Sequence, residues 1–177
     1  MTELLDYEIT EQDGMGLLFV DIGYEVFAIP IHSVKEVIEL CQITTVPMCS
    51  DVINGVINVR GSVVPVINAA IRLELDQSQK YDKFSCIVLY EYTDQTTQEL
   101  VVIGLIVNRV RSIEMVNSSM NTNKPAFGSH IPEQFVMRMI RVHGQVFPIL
   151  DMPVLLNSQV INQEMLSHQQ SLLRFRE

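Results

Sequence analysis

Hydrophobic residues fall along this chain in short runs broken by turn chemistry, and the runs come in pairs. Apolar stretches at 17–22 and 26–29 flank Gly23-Tyr24, and those at 56–59 and 63–67 are hinged at Arg60-Gly61-Ser62. A third pair, 85–92 and 100–107, surrounds a polar tip at 93–98, and a fourth, 136–142 and 146–150, turns at His143-Gly144. β-Branched residues dominate the runs and glycine punctuates them, which predicts four β-hairpins. Between the first two, Ile31, Val34, Val37 and Ile38 recur at helical spacing and predict an amphipathic helical turn, with Lys35 and Glu36 on its wet side.

The remaining segments read as connections. Residues 43–47 are expected to be extended before Pro47, and Ser50 or Asp51 to cap a helical turn leading to Gly55. Asn68 is placed to cap a short helix over 69–73, and Asp151 another through Leu156. Residues 76–83 form a polar connector, while Val110, Ile113 and Val116 trail into a loop at 117–125. Residues 1–14 read as an acidic, flexible arm, 15–156 as one domain, and 157–177 as a tail with Ile161, Met165 and Leu172 near helical spacing.

The order of these elements repeats. Gly61, Val63, Pro65 and Leu73 align with Gly144, Val146, Pro148 and Leu156 at one offset (144 − 61 = 148 − 65 = 83). Four matches at a single offset argue for a duplicated unit of about five strands. The predicted fold is therefore mostly β: two small five-stranded antiparallel β-barrels packed together, with short helices. Closure would remove exposed strand edges. Each unit alone is near the size where a core is marginal, so the two should be intertwined and share apolar surface.

Composition narrows the function. At 47% hydrophobic residues the 177-residue chain has enough apolar surface for a real core, which excludes wholesale disorder. A net charge of −9 without any Lys/Arg run makes nucleic acid and anionic membrane poor partners. The acidic N-terminus lacks the pattern of a secretory signal, and no run of about 20 apolar residues offers a membrane span, so a cytoplasmic protein is expected. Cys41, Cys49 and Cys86 lack paired spacing and read as reduced core thiols.

Candidate chemistry is sparse. His32, His130, His143 and His168 are scattered, with no cysteine pair to complete a metal site. Gly55 and Gly61-Ser62 lack the lysine and the spacing of a phosphate loop. Asp21, Ser62 and His143 could be assembled into a triad only by arithmetic, since no nucleophile elbow accompanies them. No catalytic residue, cofactor or metal is expected, and the chain does not read as an enzyme. Arg60 is the exception to the blandness: a permanently charged guanidinium at the tip of a Val/Ile hairpin either lies against a carboxylate, with Glu36 the candidate, or is held out for a partner.

Pro47 followed by Gly55-Val-Ile-Asn-Val-Arg-Gly-Ser-Val-Val-Pro-Val-Ile67 resembles the motif of the CheW family of chemotaxis coupling proteins. Phe19-Val20, Phe27-Ala-Ile-Pro30, Val34-Lys-Glu-Val37 and the closing hairpin through Asp151 are similar to that family as well, so the resemblance covers roughly 16–156. It implies a pair of five-stranded barrels and an adaptor role. The partners would be the cytoplasmic tip of a chemoreceptor and the regulatory domain of the histidine kinase CheA, at membrane-associated receptor arrays. It also implies that the groove between the barrels takes the receptor helix, with Val34, Glu36, Gly55 and Arg60 as receptor-binding positions. Two departures stand out: Asn68-Ala69-Ala70 replaces an acidic residue followed by Leu-Arg, and the 90–98 hairpin tip is longer than usual. Two alternative readings are an adaptor of a type IV pilus or other accessory chemosensory system, and a small-molecule-binding β-barrel. No receiver domain is read in these 177 residues, so a complete CheV-type adaptor is not expected.

Overall fold

The computed structural model describes residues 14–47, 51–122 and 131–156; the expectations for residues 1–13, Ser50 and the 157–177 tail fall outside them. Eleven strands form two sheets. In chain order they are β1 (Met15–Ile22), β2 (Glu25–Pro30), β3 (Val34–Glu39), β4 (Ile53–Val59), β5 (Ser62–Asn68), β6 (Cys86–Thr93), β7 (Leu100–Val107), β8 (Arg109–Val116), β9 (Asn121–Thr122), β10 (Val136–Val142) and β11 (Gln145–Leu150). Two four-residue helices, α1 (Ala69–Arg72) and α2 (Met152–Leu155), follow β5 and β11. The six-stranded sheet runs β8-β1-β2-β11-β10-β9 and the five-stranded sheet β3-β6-β7-β5-β4.

All four predicted hairpins are present, and both helices begin where expected. Asn68 accepts the Ile71 amide at 3.2 Å, and Asp151 accepts the Val154 amide at 3.3 Å, each satisfying one of the orphan donors of a helix start. The helical turn expected at 31–38 is instead a short 3-10 turn (Ile31–Ser33) followed by strand β3. Its residues are β-branched and amphipathic at both periods, and the ladder with β6, from Glu39 opposite Cys86 to Val34 opposite Tyr90, decides the matter. Of the helical turn expected from Ser50 or Asp51 to Gly55, the described part is a turn at 51–52 followed at once by β4. Residues 109–116, expected to trail off, form β8 and pair with β1 along nearly its whole length.

The two sheets are built by exchange. Each contains a β-hairpin from one half of the chain and the capped hairpin of the other: β1–β2 lies beside β10–β11, and β6–β7 beside β4–β5. The joins are parallel in both cases, Ile149 opposite Ala28 and Val66 opposite Gly104. The duplicated elements also share their irregularities. The ladder slips between Ile53 and Gly55 in one hairpin and between Val136 and Arg138 in the other, again 83 positions apart (138 − 55 = 83).

Side-chain alternation sorts the apolar residues into three clusters. Leu17, Phe19 and Ile140 pack on one face of the six-stranded sheet, and Val64, Ile87 and Leu89 on one face of the five-stranded sheet. The opposite faces, including Leu18, Val20, Phe27, Val88, Tyr90 and Leu105, meet in a larger shared core. Neither sheet is closed by a full ladder among the described residues. In the five-stranded sheet the segment after β3 reaches the opposite edge at one bridge, where Thr44 and Val56 exchange two backbone hydrogen bonds of 2.9 Å. The strands leave each unit as a curled, open sheet with a mouth.

Candidate functional site

The mouth of the five-stranded sheet is a hollow of about 340 Å³. Its floor is Val64 and Leu89, its rim Lys35, Glu36 and Arg60, and exposed Val63 and Leu100 stand beside it. The local fold explains each rim group. Arg60 and Gly61 occupy the two central positions of the β4–β5 turn with φ of 50° and 86°, the geometry that matches the twist of a two-residue hairpin. Asn58 braces the turn by accepting the Gly61 amide at 2.9 Å. Arginine is unfavoured in the left-handed region, so the turn holds a strained residue where Asn would sit without strain.

Arg60 Nη2 donates to Glu36 Oε1 at 2.8 Å, joining the β4–β5 turn to β3 at the other edge of the sheet. The expected internal partner is thus present. The arginine side chain nevertheless remains 71% exposed, and an ion pair so open to water contributes only about 0–1 kcal/mol. Lys35 pairs in turn with Glu91 at 3.2 Å.

Of the four positions implied by the resemblance, Glu36 and Arg60 meet at this mouth. Val34 opens β3 opposite Tyr90 and packs against the shared core. Gly55 is buried at the Thr44 bridge, with φ 145°; a Cβ there would lie 2.2 Å from the Thr44 carbonyl oxygen. Glycine is required there for the close approach of two backbones. The hollow beside Arg60 is lined wholly by residues of the five-stranded sheet.

Sequence reasoning missed Val64, Leu89, Val63 and Leu100 as parts of this surface. Val63 and Leu100, 66% and 64% exposed on a chain with ample core, are the signal.

The remaining candidates are engaged elsewhere. Asp21 pairs with Arg111 at 2.7 Å, Ser62 borders the hollow on the other sheet, and His143 lies 3.9 Å from Glu114. Among the described residues no group of three His, Cys, Asp or Glu could hold a metal, and no helix is long and apolar enough to cross a membrane. Cys41 is exposed, contrary to the expectation of a core thiol. Cys86 is half-buried, and burial followed by the charge of Glu39 pushes its thiol up from its ordinary value. Cys49, His130 and His168 lie outside the described residues.

The departures at Asn68-Ala69-Ala70 have a structural account. Asn68 caps α1 as Asp151 caps α2, and its amide oxygen also accepts the Tyr81 hydroxyl at 3.1 Å. Burial pushes that hydroxyl up to about 12, which keeps it a donor. Ala69 and Ala70 are buried against the shared core. The long 90–98 tip is strand through Thr93, where β6 ends, and a turn from Asp94 until β7 begins at Leu100.

Comparison with known proteins agrees with this architecture. The chain is 23% identical to the chemotaxis protein CheW of Klebsiella aerogenes over 149 residues, 84% of this chain and 86% of that protein. A probable chemotaxis protein CheW of Rhizobium etli is 26% identical over 81% of this chain and 88% of its own length. Among solved structures, the scaffolding protein TtCheW of Thermoanaerobacter tengcongensis superposes with a TM-score of 0.70 at 23% identity, covering 80% of this chain and 87% of that one. The family model described as the CheW-like domain matches residues 16–160, and the chain therefore belongs to the CheW-like family.

Proposed function

We propose that this protein is a non-catalytic chemotaxis adaptor that couples the cytoplasmic tip of chemoreceptors to the regulatory domain of the histidine kinase CheA, within the cytoplasmic layer of receptor arrays. The observation that carries the reading is the CheW-like match over 16–160, which takes in both sheets and the shared core. The mouth of the five-stranded sheet suits the receptor side of that task. It offers exposed Val63 and Leu100 as apolar anchors, ringed by Lys35, Glu36 and Arg60. A helical tip laid there would bury the aliphatics, and the guanidinium would fix its orientation through charge-assisted hydrogen bonds.

The mechanism is geometric. Because the two sheets share one core, a partner seated on one unit is held rigidly with respect to a partner on the other. No proton or electron needs to move.

The test is titration of the purified protein with a CheA regulatory domain and, separately, with a soluble receptor-tip fragment, both from the same organism. Saturable binding of each, and a ternary complex by light scattering, is expected. Absence of binding to both partners at concentrations of about 100 μM would overturn the reading, since specific protein–protein interfaces bind well below that.

A further inference from the structure

Phe84 is the one phenylalanine that stands exposed among the described residues, at 51%. A braced turn holds it out. Asp82 Oδ1 accepts the Phe84 amide at 2.8 Å, the Ser85 hydroxyl accepts the Asp82 amide at 2.8 Å, and the Ser85 amide donates to the Asp82 carbonyl at 3.0 Å. Ser85 is itself buried, and its carbonyl accepts the Leu40 amide at 3.2 Å, which ties the turn to the chain just past β3. Side-chain and backbone bonds of this kind fix a turn's conformation, so the backbone itself presents the ring to solvent.

Two cations converge on this ring from different parts of the chain. Lys83 Nζ lies 5.1 Å and the Arg109 guanidinium 4.7 Å from its centroid. Lys83 belongs to the connector that enters the five-stranded sheet through β6, and Arg109 opens β8 at the edge of the six-stranded sheet. The cluster therefore straddles both units, and no Lys/Arg run announces it. Stacking on a ring uses none of the N–H donors of a guanidinium or an ammonium, and among the described residues neither cation has a carboxylate within ion-pair distance. Asp82, next to Lys83 in sequence, is turned to the Phe84 amide, and Asp21, opposite Arg109 in register, is taken by Arg111. On a chain of net charge −9, two cations are left without a counter-charge beside an exposed aromatic ring. Exposed cation–π contacts stabilise a fold only slightly, so the cluster is better explained by what it can hold. The overall negative charge opposes a nucleic acid or an anionic bilayer, whereas a short acidic protein segment carries only local charge.

We propose that Phe84, Lys83 and Arg109 form a docking point for an acidic segment of a partner protein, which sets carboxylates against the two cations and an apolar side chain against the ring. Charge-assisted hydrogen bonds to Arg109 and Lys83 would orient the segment, and burial of Phe84 would hold it. A partner seated there touches the five-stranded and the six-stranded sheet at once. The docking point shares no residue with the hollow beside Arg60, and the inference is independent of the adaptor reading.

The test follows a short fluorescent peptide of alternating Glu and Leu by anisotropy against the full chain at low salt, beside the matching Gln–Leu and Lys–Leu peptides. The Glu–Leu peptide is expected to bind with a Kd below about 1 mM, and the other two at least about tenfold more weakly. Phe84→Ala and Lys83→Gln/Arg109→Gln should each weaken the Glu–Leu complex about tenfold. The reversed pair, Lys83→Glu/Arg109→Glu, should instead prefer the Lys–Leu peptide. All three side chains are exposed, and the neutral and reversed pairs read the same surface should either fold poorly. Failure of the Glu–Leu peptide to bind, or equal affinity for parent and variants, would overturn the proposal. So would a loss confined to Arg60→Ala, which would assign the peptide to the hollow. Tighter binding of oligothymidylate or of vesicles containing phosphatidylserine would overturn it as well, by assigning the cluster to nucleic acid or to a membrane.

Discussion

The two sheets are copies of one plan, and their differences say more than either alone. The parallel joins make Ala28 the counterpart of Gly104, and the antiparallel registers then make Phe19 the counterpart of Leu89 and Ser112 that of Glu36. The correspondence extends to charge, for Arg111–Asp21 in one sheet matches Lys35–Glu91 in the other. Arg60 corresponds to His143, both at a left-handed turn position with φ near 50°. The floors diverge. Where the five-stranded sheet has Val64 and Leu89 beneath a hollow, the six-stranded sheet has Phe147 and Phe19, edge to face at 5.2 Å. One mouth is left open with a permanent cation and a facing carboxylate; the equivalent place in the other is occupied by an aromatic pair. Duplication supplied two sockets, and side-chain volume kept one of them available.

The sharpest way to break this comparison is at a bridge that both copies have, Thr44 opposite Val56 and Thr122 opposite Met139, where glycine precedes the paired residue in one and Arg138 in the other. Gly55→Ala forces a Cβ into the Thr44 carbonyl at a backbone angle unsuited to alanine, and should cost about 3 kcal/mol or more in chemical denaturation. Its counterpart Arg138→Ala should cost less than about 1 kcal/mol. Equal losses would mean that the close approach of Thr44 to Gly55 does not distinguish the units.

Next in size is an exchange of floors. Val64→Phe should fill the hollow and abolish receptor binding, at about 1–3 kcal/mol of overpacking. Phe147→Val should cost about 1–3 kcal/mol by loss of the ring contact and burial while leaving receptor binding intact. Retention of full affinity by a folded Val64→Phe protein would remove the hollow from the site.

The smallest effect is the most diagnostic of function. Arg60→Asn suits the left-handed turn, so thermal unfolding should show a gain of about 0.5–1 kcal/mol alongside weaker receptor binding. A residue that improves the fold by leaving and harms binding by leaving is kept for the partner. If Arg60→Asn is instead destabilising, the Glu36 pair is the reason for the arginine.

Hairpins were legible in the sequence because their information is local: Gly23-Tyr24, Arg60-Gly61 and His143-Gly144 between apolar runs are sufficient. β3 and β8 were not, since each is made a strand by a partner from the other half, β6 for β3 and β1 for β8. The exchange of strands between sheets was illegible for the same reason, since the parallel joins rest on single registers such as Ile149 opposite Ala28. At the site, Arg60 and Glu36 could be paired from the sequence because a charge at an apolar turn demands a partner. Gly55 left two readings open, because a glycine serving Thr44 and one serving a ligand look alike in a string of letters. The Phe19–Phe147 plug needed both registers before it could be seen.

The central claim is that the open socket, and within it Arg60, selects the receptor. It is tested most directly by titrating a receptor-tip fragment against Arg60→Ala and His143→Ala, the two counterparts, with unfolding curves recorded on the same samples. The account predicts that Arg60→Ala loses about 2 kcal/mol or more of binding, on the order of thirtyfold in Kd, with stability changed by less than about 1 kcal/mol, and that His143→Ala binds as the parent does. Equal affinities for all three proteins, or a loss confined to His143→Ala, would contradict it.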